Sequence, residues 1–247
     1  MKNRLTSLAS CLWLVGMCFA LTAFPQQPFI PNSLTTSEQF VGDDAPPAVA
    51  NALDDEFNQS TFNSSQWTWV NQSTATATVN GSGFLELAST AANGQRMLTQ
   101  SVPSAPYKFG THLACGQTQE NFHSCGITLR ELATHKSIIL YLSDVSNVWD
   151  ITAFSMTDDI AGTAGTQLFT GVWYCGNTAY LQLERVSANI NFYVGCDPAY
   201  NSTFRAGQAA VATYFTTAPD QVGLFSATSG SPATATNAHF YWFRRIS

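Results

Sequence analysis

From Thr74 onward the chain is written in short runs of alternating apolar and polar residues, cut apart by clusters of Gly, Asn, Ser and Pro, and no window sustains a helical period of useful length. Alternation with period two places successive side chains on opposite faces of a strand, whereas a helix needs apolar residues every three or four positions. The pattern predicts an all-β domain. Thr74 to Val79 puts Ala75, Ala77 and Val79 on one face with threonines opposite, and Asn80-Gly81 turns the chain into Phe84-Leu85-Glu86-Leu87, a hairpin with its turn chemistry attached. Gly126 to Arg130 and Ile138 to Leu142 flank a polar turn at Ala133-Thr134-His135-Lys136; the second run is apolar throughout, as in a strand covered on both faces. Tyr180 to Arg185 and Ile190 to Val194 form another hairpin, and strands follow at Ala209 to Phe215, Gln221 to Ser226 and Ala238 to Ile246. Leu53 to Phe57 reads as an opening strand beside that aromatic closing one. About a dozen strands at this spacing suit a single two-sheet antiparallel β-sandwich.

Lys2 and Arg4 precede an uncharged run from Leu5 to Phe24, apolar from Cys11 to Ala23, with small residues at Ala20 and Ala23. Residues 1–23 therefore read as a secretory signal peptide; the alternative is a signal anchor, because about 20 such residues just span a bilayer. Leu8-Ala9-Ser10-Cys11 has lipobox chemistry but too little apolar chain before it. Residues 24–50, with Pro25, Pro28, Pro31, Pro46 and Pro47 among Gln, Ser and Thr, read as a disordered linker. Residues 51–247 are the sandwich, and no second stretch approaches membrane length. Charged residues are only 11% of the chain, and 16 acids face 10 bases, two of them in the leader. A basic stripe to follow phosphates has no residues to build it, which excludes nucleic acid as a partner.

Cys11 and Cys18 fall in the leader, leaving Cys115, Cys125, Cys175 and Cys196. An even set in an exported chain implies disulfides, with three possible connectivities. Nearest-neighbour pairing, Cys115 with Cys125 and Cys175 with Cys196, is the expected one, each loop contributing about 3 kcal/mol in the chain-entropy picture. Zinc is disfavoured: there is no C-x-x-C and the histidines are scattered.

Six stretches occur in a telling order: Asp54-Asp55-Glu56-Phe57, Trp67-Thr68-Trp69-Val70-Asn71, Gly126-Ile127-Thr128-Leu129-Arg130, Tyr180-Leu181-Gln182-Leu183, Pro219-Asp220-Gln221-Val222-Gly223-Leu224-Phe225 and Phe240-Tyr241-Trp242-Phe243-Arg244. Together they resemble concanavalin A-like lectin/glucanase jelly-roll domains, in the variety appended to bacterial glycosidases and found in phage and environmental proteins. The resemblance covers roughly residues 53 to 247. It implies a β-sandwich with one concave sheet, carbohydrate as the ligand class and frequently no catalysis. The four cysteines depart from that pattern, as do Gly195-Cys196-Asp197-Pro198, where an Asp-Gly turn is usual, and His239 and Tyr241, where an acid often stands.

A retaining glycosidase needs two carboxyl groups about 5 Å apart. The Glu-x-Asp-x-Glu run of the catalytic glucanases is missing, as are the Gln-x-His and Tyr-x-Lys signatures of the lyase branch. Asp54 and Glu56 share a face but lie at the domain's start, where charge protects an edge; Asp158-Asp159 points two ways, and Glu86 and Glu184 stand alone. His112, His123, His135 and His239 read as surface or turn residues, and Trp242 as core. The reading leans against an enzyme and requires no cofactor. One structural calcium on Asp54, Asp55 and Glu56 is an option, since such jelly rolls often tie their chain ends with one.

Sugar binding would use rings stacked on pyranose faces with amides and Arg on the hydroxyls. The candidates are Trp149, Tyr141, Trp69 and Trp173 with Arg130, Asn147 and Asp150, Trp149 first because Ser146-Asn147-Val148-Trp149-Asp150 surrounds a large ring with short polar side chains. Asn58, Asn63, Asn71, Asn80 and Asn201 begin N-x-S/T sequons, glycosylated in a eukaryotic secretory pathway and plain turn residues elsewhere. The sequence thus predicts an exported, disulfide-stabilised, non-catalytic lectin-like module that binds a glycan or polysaccharide, secreted or held at a cell, matrix or virion surface. The alternatives are a glucanase-type enzyme and a structural or adhesive module without a glycan ligand.

Overall fold

The computed structural model describes residues 51–79, 81, 83–89, 94–116, 123–196, 204–228 and 236–247. The leader, the Pro-rich segment, Asn80 and Asn201 lie outside them. In chain order the strands begin β1 (Thr68–Val70), β2 (Thr76–Val79), β3 (Leu85–Ser89), β4 (Gly94–Ser101), β5 (Tyr107–Cys115), β6 (His123–Glu131) and β7 (Lys136–Val145). They continue with β8 (Val148–Asp158), β9 (Thr163–Val172), β10 (Thr178–Val186), β11 (Asn189–Gly195), β12 (Phe204–Ala210), β13 (Gln221–Thr228) and β14 (Thr236–Arg245), with one short helix, α1 (Val211–Tyr214), after β12. Two seven-stranded antiparallel sheets form a sandwich, ordered β1-β4-β13-β6-β7-β8-β9 and β12-β11-β10-β5-β14-β3-β2. The expected two-sheet all-β architecture is the observed one.

The hairpins read from turn chemistry are present, with Val79 paired to Leu85 and Leu183 to Phe192. The β7–β8 hairpin turns on Ser146 and Asn147, both at positive φ (56° and 66°), the left-handed pair whose twist matches the strands it joins. The chain ends do meet: Asp55 bridges Phe243 of β14 through reciprocal backbone bonds of 2.8 Å. The opening segment contributes only that bridge, instead of a strand. Ala209 to Phe215 is a second correction. β12 ends at Ala210 because its ladder partner Asn189 is the first residue of β11, so the chain coils into α1, whose Val211 N–H donates to the Ala188 carbonyl while Val211 and Phe215 enter the core.

Between the sheets, inward-facing residues of most of the long strands form the main core, including Leu98, Phe109, Leu113, Ile127, Leu129, Leu140, Leu181, Phe192, Leu224 and Phe240, all fully buried. Each such side chain stabilises the fold by about 1.5–3 kcal/mol of apolar burial. The two disulfides pair Cys115 with Cys125 and Cys175 with Cys196, Cα atoms 5.7 and 5.5 Å apart, the nearest-neighbour connectivity. Such bonds persist in oxidising compartments. Among the described residues no helix is long and apolar enough to cross a membrane.

The sheet containing β1 has a second core on its outer face. Met97, Phe225, Gly126, Tyr141 and Thr152 form one cross-strand row, and Val70, Met97, Ile139, Met156 and Phe225 are buried together with Tyr141 and Phe154 against them. Gln95 of β4 reaches Met156 of β8 with a 3.5 Å N–H···S contact, although β13, β6 and β7 lie between those strands. Asn71, just after β1, donates its amide to the Asp159 carbonyl at 2.8 Å. Contacts between distant strands of one sheet require it to curl strongly, and beyond that curl three register shifts interrupt the pairing of β8 with the edge strand β9. Gly126 lets the curl close, because the Tyr141 and Phe225 rings on either side approach to 5.9 Å over it. This curled sheet is concave outward, and its concavity is filled with its own side chains.

Candidate functional site

The opposite, open sheet carries on its outer face a row of rings running across β3, β14, β5 and β10. Phe84, just before β3, lies 4.6 Å from the His239 ring and 6.3 Å from Tyr241. Tyr241 stacks on His112 of β5 at 4.6 Å and 23°, and His112 stacks in turn on Tyr180 of β10 at 5.7 Å and 24°. Trp242 meets Tyr180 edge-on at 4.9 Å, and the Arg244 guanidinium sits 4.8 Å over the Trp242 ring. A register shift between Phe240 and Trp242 places both Tyr241 and Trp242 on this face; a bulge changes the parity of the strand beyond it. Trp242, expected in the core, is therefore opposite His112 on the outer face, covered by Tyr180 and Arg244.

Tyr180 and Trp242 are buried and make the floor, while Phe84, His112, His239 and Tyr241 are half-buried and present ring surface to solvent. Polar groups border the rings on both sides. On one side Glu86 faces His239, Oε2 to Nε2 at 3.2 Å. On the other, Glu184 accepts 2.7 Å hydrogen bonds from the Tyr193 hydroxyl and the Asn191 amide, and the Lys108 ammonium lies 4.3 Å over the Tyr193 ring. Burial, reinforced by the hydrogen bond and charge of Glu184, pushes the Tyr193 hydroxyl up to about 12. It stays protonated and donating. Glu56 grips Arg244 with both carboxylate oxygens and holds its guanidinium above the ordinary value.

The residues expected to bind sugar do not share one surface. Arg130 and Tyr141 are on the outer face of the curled sheet, but Arg130 is 2% exposed, ion-paired at 2.8 Å with Asp159, which is 0% exposed, and bonded at 2.7 Å to Gln221. Tyr141 belongs to the second core, and burial pushes its hydroxyl up to about 12. Trp149 and Trp69 point the other way and pack against the main core, to which Trp173 itself belongs. Asn147 is the exposed tip of the β7–β8 turn. Asp150 is half-buried beside Ser143, and burial together with the charge of Asp144 raises its carboxyl. His123, expected at the surface, is 2% exposed on the inner face.

Asp54, Asp55 and Glu56 line a polar depression of about 570 Å³, and protein donors occupy their oxygens. Asp55 accepts from the Phe57 N–H, the Gln59 amide and the Trp67 indole; Asp54 accepts from the N–H groups of Asn51 and Arg245; Glu56 holds Arg244. Each acid ties one part of the chain end to another. Among the described residues no group of three or more His, Cys, Asp or Glu side chains gathers as for a metal.

No protein-family model matches the sequence, and no curated protein matches it. Solved structures do resemble the fold. A GH43 protein from Bacillus licheniformis superposes with a TM-score of 0.62 at 15% identity, over 80% of this chain and 40% of its own. A xylan β-1,4-xylosidase from Bacillus halodurans gives 0.61 at 14%, over 81% and 40%. An uncharacterised protein from Mycobacterium paratuberculosis gives 0.54 at 12%, over 78% of this chain and 98% of its own. At such identities the likeness is one of fold, and this chain spans about 40% of the length of the two Bacillus structures.

Proposed function

We propose that the chain is an exported, non-catalytic glycan-binding module of the concanavalin A-like lectin/glucanase kind, and that it binds along the outer face of the open sheet. The observation that carries this reading is the row of rings from Phe84 to Tyr180, half-buried at Phe84, His239, Tyr241 and His112 over a buried floor, and bordered by carboxylates, amides and cations. Flat rings take the apolar faces of pyranoses while neighbouring polar groups take hydroxyls. From β3 to β11 the face spans four strand spacings, about 19 Å, which is oligosaccharide length. The fold's recurrence in structures described as GH43 proteins, one of them a xylan β-1,4-xylosidase, supports a carbohydrate partner.

The strand acids of this face favour binding over hydrolysis, and Glu56, the third acid at its border, is held in the ion pair with Arg244. Glu86 on β3 and Glu184 on β10 are three strand spacings apart, about 14 Å at the least, whereas glycosidase carboxyl pairs sit about 5–9.5 Å apart. The test is glycan-array and polysaccharide-retention binding by the full chain produced under oxidising conditions, alongside a Tyr241→Ala/His112→Ala variant of unchanged circular dichroism. Binding to a coherent glycan family, reduced tenfold or more in the variant, is the expected result. A folded wild type that binds no glycan, or binding indifferent to the double change, refutes the reading.

A further inference from the structure

At the side of the sandwich where β1 and β2 are the edge strands, the gap between the sheets is open. β1 has three residues and β2 four, too short to seal it. Trp69 points inward from β1, as a core residue would, but at this edge it is half-buried instead of covered. With Phe62 and Trp67 it forms the wall of a cleft of about 560 Å³. Trp67 is 3% exposed, edge-on against Phe243 in the main core with its indole N–H committed to Asp55 Oδ2 at 2.9 Å, so it backs the cleft, and the rings open to it are Trp69 and Phe62. The rim is supplied by Thr68, Gln72 and Thr76, all exposed.

We infer that this edge cleft is a second ligand site, which takes one neutral sugar ring. Its volume is in the range of small-molecule pockets, and its lining combines aromatic planes with hydroxyl and amide groups. No charged side chain lines it. An apolar guest would bury the rim hydroxyls and the Gln72 carboxamide, whose N–H already reaches the Ala75 carbonyl at 3.4 Å, without matching them, and an anionic one would find no cation. A pyranose, with an apolar face and a belt of hydroxyls, satisfies both halves of the lining. The cleft shares no residue with the ring face of the open sheet, so the inference stands or falls apart from the reading above.

The test is a titration of the full chain with the methyl glycosides of glucose, galactose, mannose and xylose, following the indole N–H resonance of Trp69, assigned by its loss in Trp69→Phe. A saturable shift with at least one of these sugars is expected, weakened roughly fivefold in Gln72→Ala or Thr76→Val, the value of one hydrogen bond, and unchanged in Tyr241→Ala/His112→Ala. Either of two results would overturn the inference: no shift with any of the four sugars, whether or not an apolar dye produces one, or a sugar shift abolished by the Tyr241/His112 change.

Discussion

Arg130 and Glu131 are neighbours at the end of β6 and serve opposite faces of the curled sheet. Arg130 faces outward into the ion pair with Asp159, which is as buried as its partner. Removing one member of such a pair strands the other charge, so Arg130→Met should cost about 3–5 kcal/mol. Arg130→Met/Asp159→Leu should recover most of that loss; urea denaturation of the three proteins checks both statements. Glu131 collects the N–H groups of Thr216 and Thr217 and the hydroxyls of Thr134 and Thr217. Burial raises its carboxyl, and these bonds outweigh burial to hold it at about 2. Because the folded value lies below the unfolded one of about 4.3, the stability it contributes is present above that pH and is lost as pH falls toward 2. Thermal melts across the acid range should show a shallower decline for Glu131→Gln than for the wild type. Burial raises Asp144, Asp150 and Asp159, so their contribution has the opposite sign and partly offsets the acid loss. None of these roles was legible in the sequence: Arg130 alternates like any outward strand residue, and Asp159, its partner, comes from a loop 29 residues away.

The strands differ in how openly they declared themselves. β10, β11 and β13 were legible from alternation, and the apolar run Ile138 to Leu142 correctly implied cover on both faces, since Ile139 belongs to one core and Ile138 and Leu140 to the other. β9 was not read, because it is an edge strand whose first five residues are exposed and carry no apolar period. The bulge in β14 hid the ring face, since strict alternation from Phe240 puts Trp242 inward. Gly126, like Gly223, is a position of the curled sheet where an added methyl group would strike the backbone of the neighbouring strand. A Cβ there would lie 2.1 Å from the Leu140 carbonyl oxygen and 2.6 Å from the Tyr141 Cα, backbone atoms of the neighbouring strand that cannot swing aside. Gly126→Ala should therefore destabilise by about 3 kcal/mol or more, the upper end for overpacking, and should release the near-ultraviolet circular dichroism of the packed Tyr141 and Phe225 rings. A variant that melts with the wild type would contradict that account of the curl.

For the molecule as a whole, the two cores give the sheets unequal protection. β6, β7 and β13 are sandwiched between the main core and the second one, so their amides should exchange with solvent only through global unfolding. Those of β2 and β12, at the edges of the open sheet, should exchange through local opening, orders of magnitude sooner. Hydrogen exchange followed by mass spectrometry checks that order, and equal protection of the two sheets would contradict it. The fold class and disulfide pairing were legible in the sequence because they depend on local period and on cysteine spacing. The location of the ring face was not, because it depends on which sheet curls, and that is decided by side-chain contacts between strands far apart in the chain.

The bridge between Asp55 and Phe243 has a consequence for how such a unit is carried. In an antiparallel pair the incoming and outgoing chains leave from the same end, so the two termini of the folded body exit side by side. A body with adjacent exits can be spliced into a surface loop of a larger protein without prising that loop apart. It can equally be circularly permuted, by joining its ends with a short linker and opening the chain at an exposed turn such as Ser146-Asn147.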